Sequence, residues 1–187
     1  MASVMGTLKL EPAQSRLDLL ATPVAAALEV WPAEAPIDVD QILVAPIDPE
    51  LADTAAFCEA YGVALAESAN CVIVAGRRGE LTRYAACVVL ATTRADVNGV
   101  VRRHLDARKA SFAPVEDAVR LTGMEFGGIT PIGLPASWSI LVDSRVVAAP
   151  HVIIGSGVRH SKIALAGPAL GALPGAEVIE GLARDAV

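Results

Sequence analysis

Residues 70–91 read Asn-Cys-Val-Ile-Val-Ala-Gly-Arg-Arg-Gly-Glu-Leu-Thr-Arg-Tyr-Ala-Ala-Cys-Val-Val-Leu-Ala. Two runs of β-branched and small apolar residues, Asn70–Ala75 and Leu81–Ala91, flank a polar segment bounded by Gly76 and Gly79. This pattern predicts an antiparallel hairpin that turns at Gly76–Gly79. Upstream, Thr22-Pro23 and Asp48-Pro49 each set a capping residue before a proline. They predict one helix to Val30, ended by Trp31-Pro32, and a second to Tyr61, stopped by Gly62, with a short strand at Gln41–Ile47 between them. Downstream, Thr93 or Asp96 can cap a helix through Leu105 that carries Val97, Val100, Val101 and Leu105 on one face. Pro114 opens a further helix ended by Gly123. Strands are expected at Ser139–Asp143, His151–Ile154 and Lys162–Ala166, and a short helix from Pro168. Ala176–Ala186 reads as a terminal strand or helix. Helices and strands mixed with hairpin-like neighbours predict an α/β domain built on a curved, largely antiparallel sheet, not a doubly wound parallel one.

The chain's 187 residues suit a single domain with enough core to need no disulfide or structural metal. Its core must be aliphatic, because hydrophobic residues make up 53% and aromatics only 4%. The cysteines Cys58, Cys71 and Cys87 form no CxxC pair, and an odd thiol points to a reduced, cytoplasmic setting. Leu19–Leu28 is uncharged, but Asp18 and Glu29 flank it with no basic run before it, so no secretion signal is read there. Phe126–Val142 is interrupted by glycine and proline, and no membrane span is expected. The net charge of -6 is uneven. Residues 1–60, read as an acidic helical region, carry two basic and ten acidic groups, whereas residues 77–109 carry eight basic and three acidic. Such a basic middle can meet an anionic ligand, or it can be a solvated face. Twelve of the fifteen basic residues are arginine, and the only lysines are Lys9, Lys109 and Lys162.

Common catalytic motifs are missing. The histidines His104, His151 and His160 are scattered and show no metal-ligand spacing. Ser156, His160 and Asp143 could form a triad only on paper, because Ile154-Gly-Ser-Gly157 lacks the spacing of a nucleophile elbow. There is neither a GK[ST] phosphate loop nor a GxGxxG fingerprint. Residues 123–135 stand apart, with four glycines and two prolines. A loop of this kind can bring free N–H groups to a carbonyl oxygen as it becomes an oxyanion, or it can be a tight structural crossover.

Thr122-Gly-Met-Glu-Phe-Gly-Gly-Ile-Thr-Pro-Ile-Gly133 resembles the TG…GG[IV][ST]P[FIL]G signature of the YbaK/prolyl-tRNA-synthetase-associated editing-domain family. The flanking order agrees, with the Cys71–Ala75 and Tyr84–Ala91 pair, Arg94-Ala-Asp96, the strand ending at Asp143, and the Ile154–Gly157 turn before Ser161–Ala166. The resemblance runs over residues 68–173. It implies a mixed α/β fold with a barrel-like sheet, and hydrolysis of the ester of mischarged aminoacyl-tRNA without metal or cofactor. By position, Gly127 and Gly128 would contact the ester, Thr130-Pro131 would fix the loop, and Gly133 would belong with them to the substrate-binding set. Asp143 would line the pocket, and Gly155, Ser156 and Gly157 would approach the terminal nucleotide. The implied partners are a tRNA acceptor end carrying a small amino acid and an aminoacyl-tRNA synthetase.

One departure is specific. The family's lysine at the start of the first hairpin strand falls on Asn70, or on Cys71 in a slipped register. Asn70 can donate hydrogen bonds but carries no charge. Arg83 on the facing strand, or Arg77 or Arg78, would then have to bring the cation. Two other readings stay open: a relative that binds tRNA, a nucleotide or a synthetase without turnover, and a hydrolase or binder of another small aminoacyl ester.

Overall fold

In the computed structural model, which describes residues 5–186, the chain forms eleven short or medium strands and six α-helices among those residues. In chain order they are β1 (Glu11–Pro12), α1 (Thr22–Glu29), β2 (Leu43–Pro46), α2 (Thr54–Tyr61), β3 (Ala69–Arg78), β4 (Leu81–Leu90), β5 (Thr93–Ala95) and α3 (Arg102–His104). Then follow β6 (Lys109–Phe112), α4 (Val115–Thr122), β7 (Ser139–Asp143), α5 (Ser144–Ala148), β8 (Val152–Gly155), β9 (Ser161–Leu165), α6 (Gly167–Gly171), β10 (Ala176–Ile179) and β11 (Ala183–Asp185).

The hairpin is longer than its sequence pattern indicates. β3 and β4 pair from Ala69↔Leu90 to Arg78↔Leu81, so Gly76, Arg77 and Arg78 are strand rather than turn. The reversal falls on Gly79-Glu80, and Gly79 takes φ 62°, a conformation glycine adopts at little cost. The strand continues past Gly76 because its other edge is also paired: β6 runs antiparallel to it from Val74↔Phe112 to Arg77↔Lys109.

β3 and β4 are the centre of a five-stranded sheet ordered β10-β7-β4-β3-β6. Its β4–β7 and β7–β10 pairs are parallel and the others antiparallel. A four-stranded antiparallel sheet is ordered β1-β2-β9-β8, and β5 pairs with β11. The expected mixed α/β architecture is therefore present. The sheets do not close into a barrel, and the barrel-like description is not confirmed. A single parallel bridge, Ser68↔Ile153, joins the start of the hairpin to β8.

Side-chain alternation assigns each strand face to a core. On β3, Val72 and Val74 pack with Val101, Leu105 and Leu182, whereas Cys71 and Ile73 pack with Ala118 of α4 and Trp138. Between the two large sheets lie Val24, Leu28, Val44, Ile140, Val142, Ile154, Ile163 and Leu165. On the outer face of β8 and β9, Ile153 and Ala164 pack under Phe57 and Cys58 of α2.

Local chemistry accounts for the element boundaries. Asp48 caps only a 3-10 turn, Pro49–Leu51, and α2 starts separately at Thr54, so the second helix is broken in two. Gly62 and Gly123 end α2 and α4 in left-handed conformations, as their positions require. Asp96 caps a π-helical turn at Val97–Val101, and Thr93–Ala95 before it is a strand rather than the first turn of a helix. Ala176–Ala186 resolves into strands β10 and β11. Residues 1–60 are helical only in part, because they also supply β1 and β2 to the sheet (residues 1–4 lie outside the described ones). No helix among the described residues is long and apolar enough to cross a membrane.

Candidate functional site

A cleft of about 380 Å³ opens where the start of β3, the ends of β8 and β9, the entry to α2 and the loop after α4 converge. The Ser68–Ile153 bridge creates this junction by holding the two sheets together at one end. Ile73, Ala113, Ala118, Ile129 and Ile153 supply apolar wall, and the polar lining comes from Asp53, Thr54, Ser68, Asn70 and Lys162. Phe112 and Phe126, both more than half exposed, line it as well.

Asn70 is part of this lining. Its Oδ1 accepts a hydrogen bond from Thr54 Oγ1 at 2.6 Å, which leaves the amide NH2 as the free donor of that side chain. Gly127 also lines the cleft, with φ 87°. A Cβ there would run into the guanidinium of Arg159. Arg159 ties the loop down from several directions: its backbone N–H donates to Glu125 Oε2 at 2.6 Å, Nη1 to Phe126 O at 3.3 Å, and Nη2 to Pro49 O at 3.0 Å. Gly155 completes the backbone wall, approaching the carbonyls of Gly128 and Ile129 so closely that a side chain cannot be inserted without displacement.

Lys162 is the residue that sequence reasoning missed. It lies on β9 directly opposite Gly155 of β8 and is 8% exposed. Its Nζ donates to Ala52 O at 2.9 Å and stands 5.3 Å from the centre of the Phe57 ring. Among the described residues no carboxylate lies within ion-pair distance of it. Burial pushes its pKa below the ordinary lysine value. Arg159 lowers it further, while Cys58 and Asp53 oppose the fall. The sequence does contain a signal for it, a charged residue directly before the apolar run Ile163-Ala-Leu165 of a strand. Separation along the chain hid its proximity to Asn70.

The other residues singled out from sequence divide into two groups. Asn70, Gly127 and Gly155 are brought together in the cleft. Gly128 lies behind that wall: its N–H donates to Glu125 O at 3.0 Å and its carbonyl accepts from Gly157 N at 2.7 Å, so that N–H is spent inside the loop. Gly157 packs on Ala21, Val24 and Met124. Ser156 is fully buried, 2.7 Å from Ser161 Oγ. Thr130 is fully buried with no partner for Oγ1 among the described residues. Pro131 and Gly133 line a separate apolar cleft of about 170 Å³.

Asp143 does not line the cleft. It is 1% exposed and serves as the N-cap of α5, accepting from Arg145 N at 2.9 Å, Arg145 Nε at 3.0 Å and Ala183 N at 2.9 Å. This carboxylate locks α5 and β11 to the sheet. Arg83 is likewise elsewhere, donating to Leu105 O at 3.1 Å and facing Asp106 at 3.8 Å. Arg78 is held by Asp106 O at 2.7 Å, and Arg77 lines a different depression. No arginine of the hairpin therefore supplies charge to the cleft. The paper triad also fails, because His160 Nε2 lies 3.3 Å from Asp18 O and Ser156 bonds to Ser161.

The depression that contains Arg77 also holds Arg102, Arg108 and Lys109. None of these four is in an ion pair among the described residues. Phe112 lines both this basic depression and the cleft.

Residues 48–173 match the family model described as aminoacyl-tRNA editing domain. No curated protein matches the sequence. A crystal structure described as a candidate trans-editing enzyme for prolyl tRNA synthetase superposes with a TM-score of 0.71 at 20% identity, covering 89% of this chain and 97% of that one. The crystal structure of hypothetical protein APE2540 superposes with a TM-score of 0.65 at 21% identity, covering 75% and 90%. At these identities the two structures show a shared fold. The family match spans well over half the sequence, and the chain belongs to the aminoacyl-tRNA editing domain family.

Proposed function

We propose that the protein is a trans-editing deacylase that hydrolyses the ester of a tRNA carrying a small amino acid. The observation that carries this reading is the cleft itself. It combines a glycine backbone wall at Gly127 and Gly155, the amide donor of Asn70 and an apolar wall of Ile73, Ala113, Ala118, Ile129 and Ile153. It adjoins an uncompensated basic depression through Phe112.

Each part has a task in the reaction. Water adds to the ester carbonyl carbon, and the carbonyl oxygen becomes an oxyanion. On collapse the bond to the terminal ribose oxygen breaks, that oxygen takes a proton, and the amino acid leaves. An aminoacyl ester is already reactive, so positioning and donors aimed at the oxyanion carry most of the catalysis. Gly127 has no backbone acceptor for its N–H among the described residues, and the Asn70 amide supplies a second donor. Phe112 and Phe126 offer faces on which the terminal base can stack. Arg77, Arg102, Arg108 and Lys109 suit the phosphates of the acceptor stem.

The test is release of amino acid from a panel of mischarged tRNAs, with competition by a non-hydrolysable aminoacyl-adenosine. Release with strong competition is expected. Binding without release would favour a non-catalytic relative, and release insensitive to the adenosine competitor would favour another small ester.

A further inference from the structure

We infer that Lys162 supplies this cleft with the cation that Asn70 lacks, its ammonium meeting an electron-rich oxygen of the bound aminoacyl terminus. The inference rests on the deacylase reading and adds a residue to it.

Sheet geometry sets the residues side by side. Ser68 and Ile153 are bridged in parallel, and two residues further along each strand stand Asn70 and Gly155. Gly155 is in turn the cross-strand partner of Lys162. Asn70, Gly155 and Lys162 thus follow one another across the junction of the two sheets, and all three line the cleft. Gly155 adds no side chain to this row, and the space beside it is taken by the carbonyls of Gly128 and Ile129, so the glycine loop borders the same junction. Lys162 on β9 and Asn70 on β3 therefore border one and the same cleft.

The energetics point the same way. An ammonium that is 8% exposed, with no carboxylate within ion-pair distance among the described residues, is an unfavourable thing for a fold to keep. Its one hydrogen bond, to Ala52 O, uses one of three N–H donors. The other donors have no acceptor among the described residues. The Phe57 ring gives partial compensation, and a methionine could fill the same space without the charge. The groups facing Lys162 are Asp53 and Cys58 from the α2 region and Arg159 from the turn before β9. Cys58 is a thiol whose pKa is itself raised by burial, so it offers no negative charge at neutral pH. A buried charge kept at the edge of a cleft without an internal partner is suited to an external one.

The oxygen in question is either the ester carbonyl or a terminal phosphate, and one experiment separates them. An amide-linked alanyl-adenosine analogue is titrated calorimetrically, with and without a 5′-phosphate, into the wild-type protein and Lys162→Met. Loss of affinity by about ten- to a hundredfold is expected for the variant, the range for deleting a charged hydrogen bond. Loss with both analogues identifies the carbonyl, and loss with the phosphorylated one alone identifies the phosphate. The melting temperature of Lys162→Met should be unchanged or higher. Asn70→Lys in the Lys162→Met background should recover part of the affinity. With only three lysines in the chain, the Lys162 side-chain NMR signal can also be followed in the unmodified protein. It should move on adding the analogue, while that of Lys9 should not. A variant that is destabilised yet binds both analogues like wild type would overturn the inference and leave the deacylase reading intact. A wild-type protein that binds neither analogue and releases no amino acid would overturn both.

Discussion

Gly155 and Lys162 face each other across the β8–β9 pair, and both line the cleft. The space that a side chain on Gly155 would take is occupied by the carbonyls of Gly128 and Ile129. Gly155→Val should therefore push the glycine loop away from β8. The expected outcome is loss of deacylation, with a stability loss of about 1–3 kcal/mol from overpacking, checked by urea denaturation alongside turnover.

Gly127 is a more selective probe. Its φ of 87° is strained for any other residue, and a Cβ meets the Arg159 guanidinium. Gly127→Ala should lower stability by about 1–3 kcal/mol and reduce kcat more than KM, because the wall displaced is the one proposed to meet the oxyanion. Equal activity in wild type and variant would remove Gly127 from the mechanism.

Asp143 gives the opposite expectation. Its three accepted hydrogen bonds hold Arg145 and Ala183, and none points to the cleft. Asp143→Ala should lower stability by about 1–3 kcal/mol, as expected when a buried donor loses its acceptor. At a temperature where the variant remains folded, its kcat/KM should stay near wild type. A folded but inactive variant would return Asp143 to the site.

Charge on the flank should appear as salt dependence. Replacing Arg102, Arg108 or Lys109 with glutamine should weaken tRNA binding and lower the steepness of log Kd against log salt by roughly one for each phosphate no longer neutralised. Hydrolysis of a short aminoacyl-adenosine ester should be unchanged, because that substrate does not reach the depression. Phe126→Ala should instead raise KM for both substrates.

The titration of Lys162 sets a direction for stability. Its pKa in the folded protein lies below the ordinary value of 10.5, so the unfolded chain binds the proton more tightly. Stability should therefore rise with pH across the window between the depressed value and 10.5, and Lys162→Met should lack that increment. Burial likewise raises the thiols of Cys71 and Cys87, the latter to about 12, so neither should react with alkylating reagents at neutral pH in the native protein.

Much of the fold is legible in the sequence because its elements carry strong local chemistry. The two apolar, β-branched runs of Asn70–Ala75 and Leu81–Ala91, the glycines ending two helices and the proline-led turns can be read directly. β6 cannot, because Lys109-Ala-Ser-Phe112 is only four residues long, carries no β-branched side chain and is held by its pairing with β3. The glycine loop announces the site, but three residues around it read differently in the sequence and in the fold. Asp143 followed by Ser144 has the form of a helix cap, and that is its role. Gly128 reads as a free donor, although a tight loop consumes its own N–H groups. Lys162 stands far from Asn70 along the chain. A single bridge between Ser68 and Ile153 cancels that distance, and a contact between two sheets leaves no local trace in sequence.

The most direct test is a time course of amino acid release from tRNAs mischarged with small amino acids, run with wild-type protein and Gly127→Ala. The wild type should release amino acid from at least one such tRNA, well above spontaneous hydrolysis, and the variant little or none. Wild-type release no faster than the spontaneous rate across the whole panel would contradict the deacylase reading.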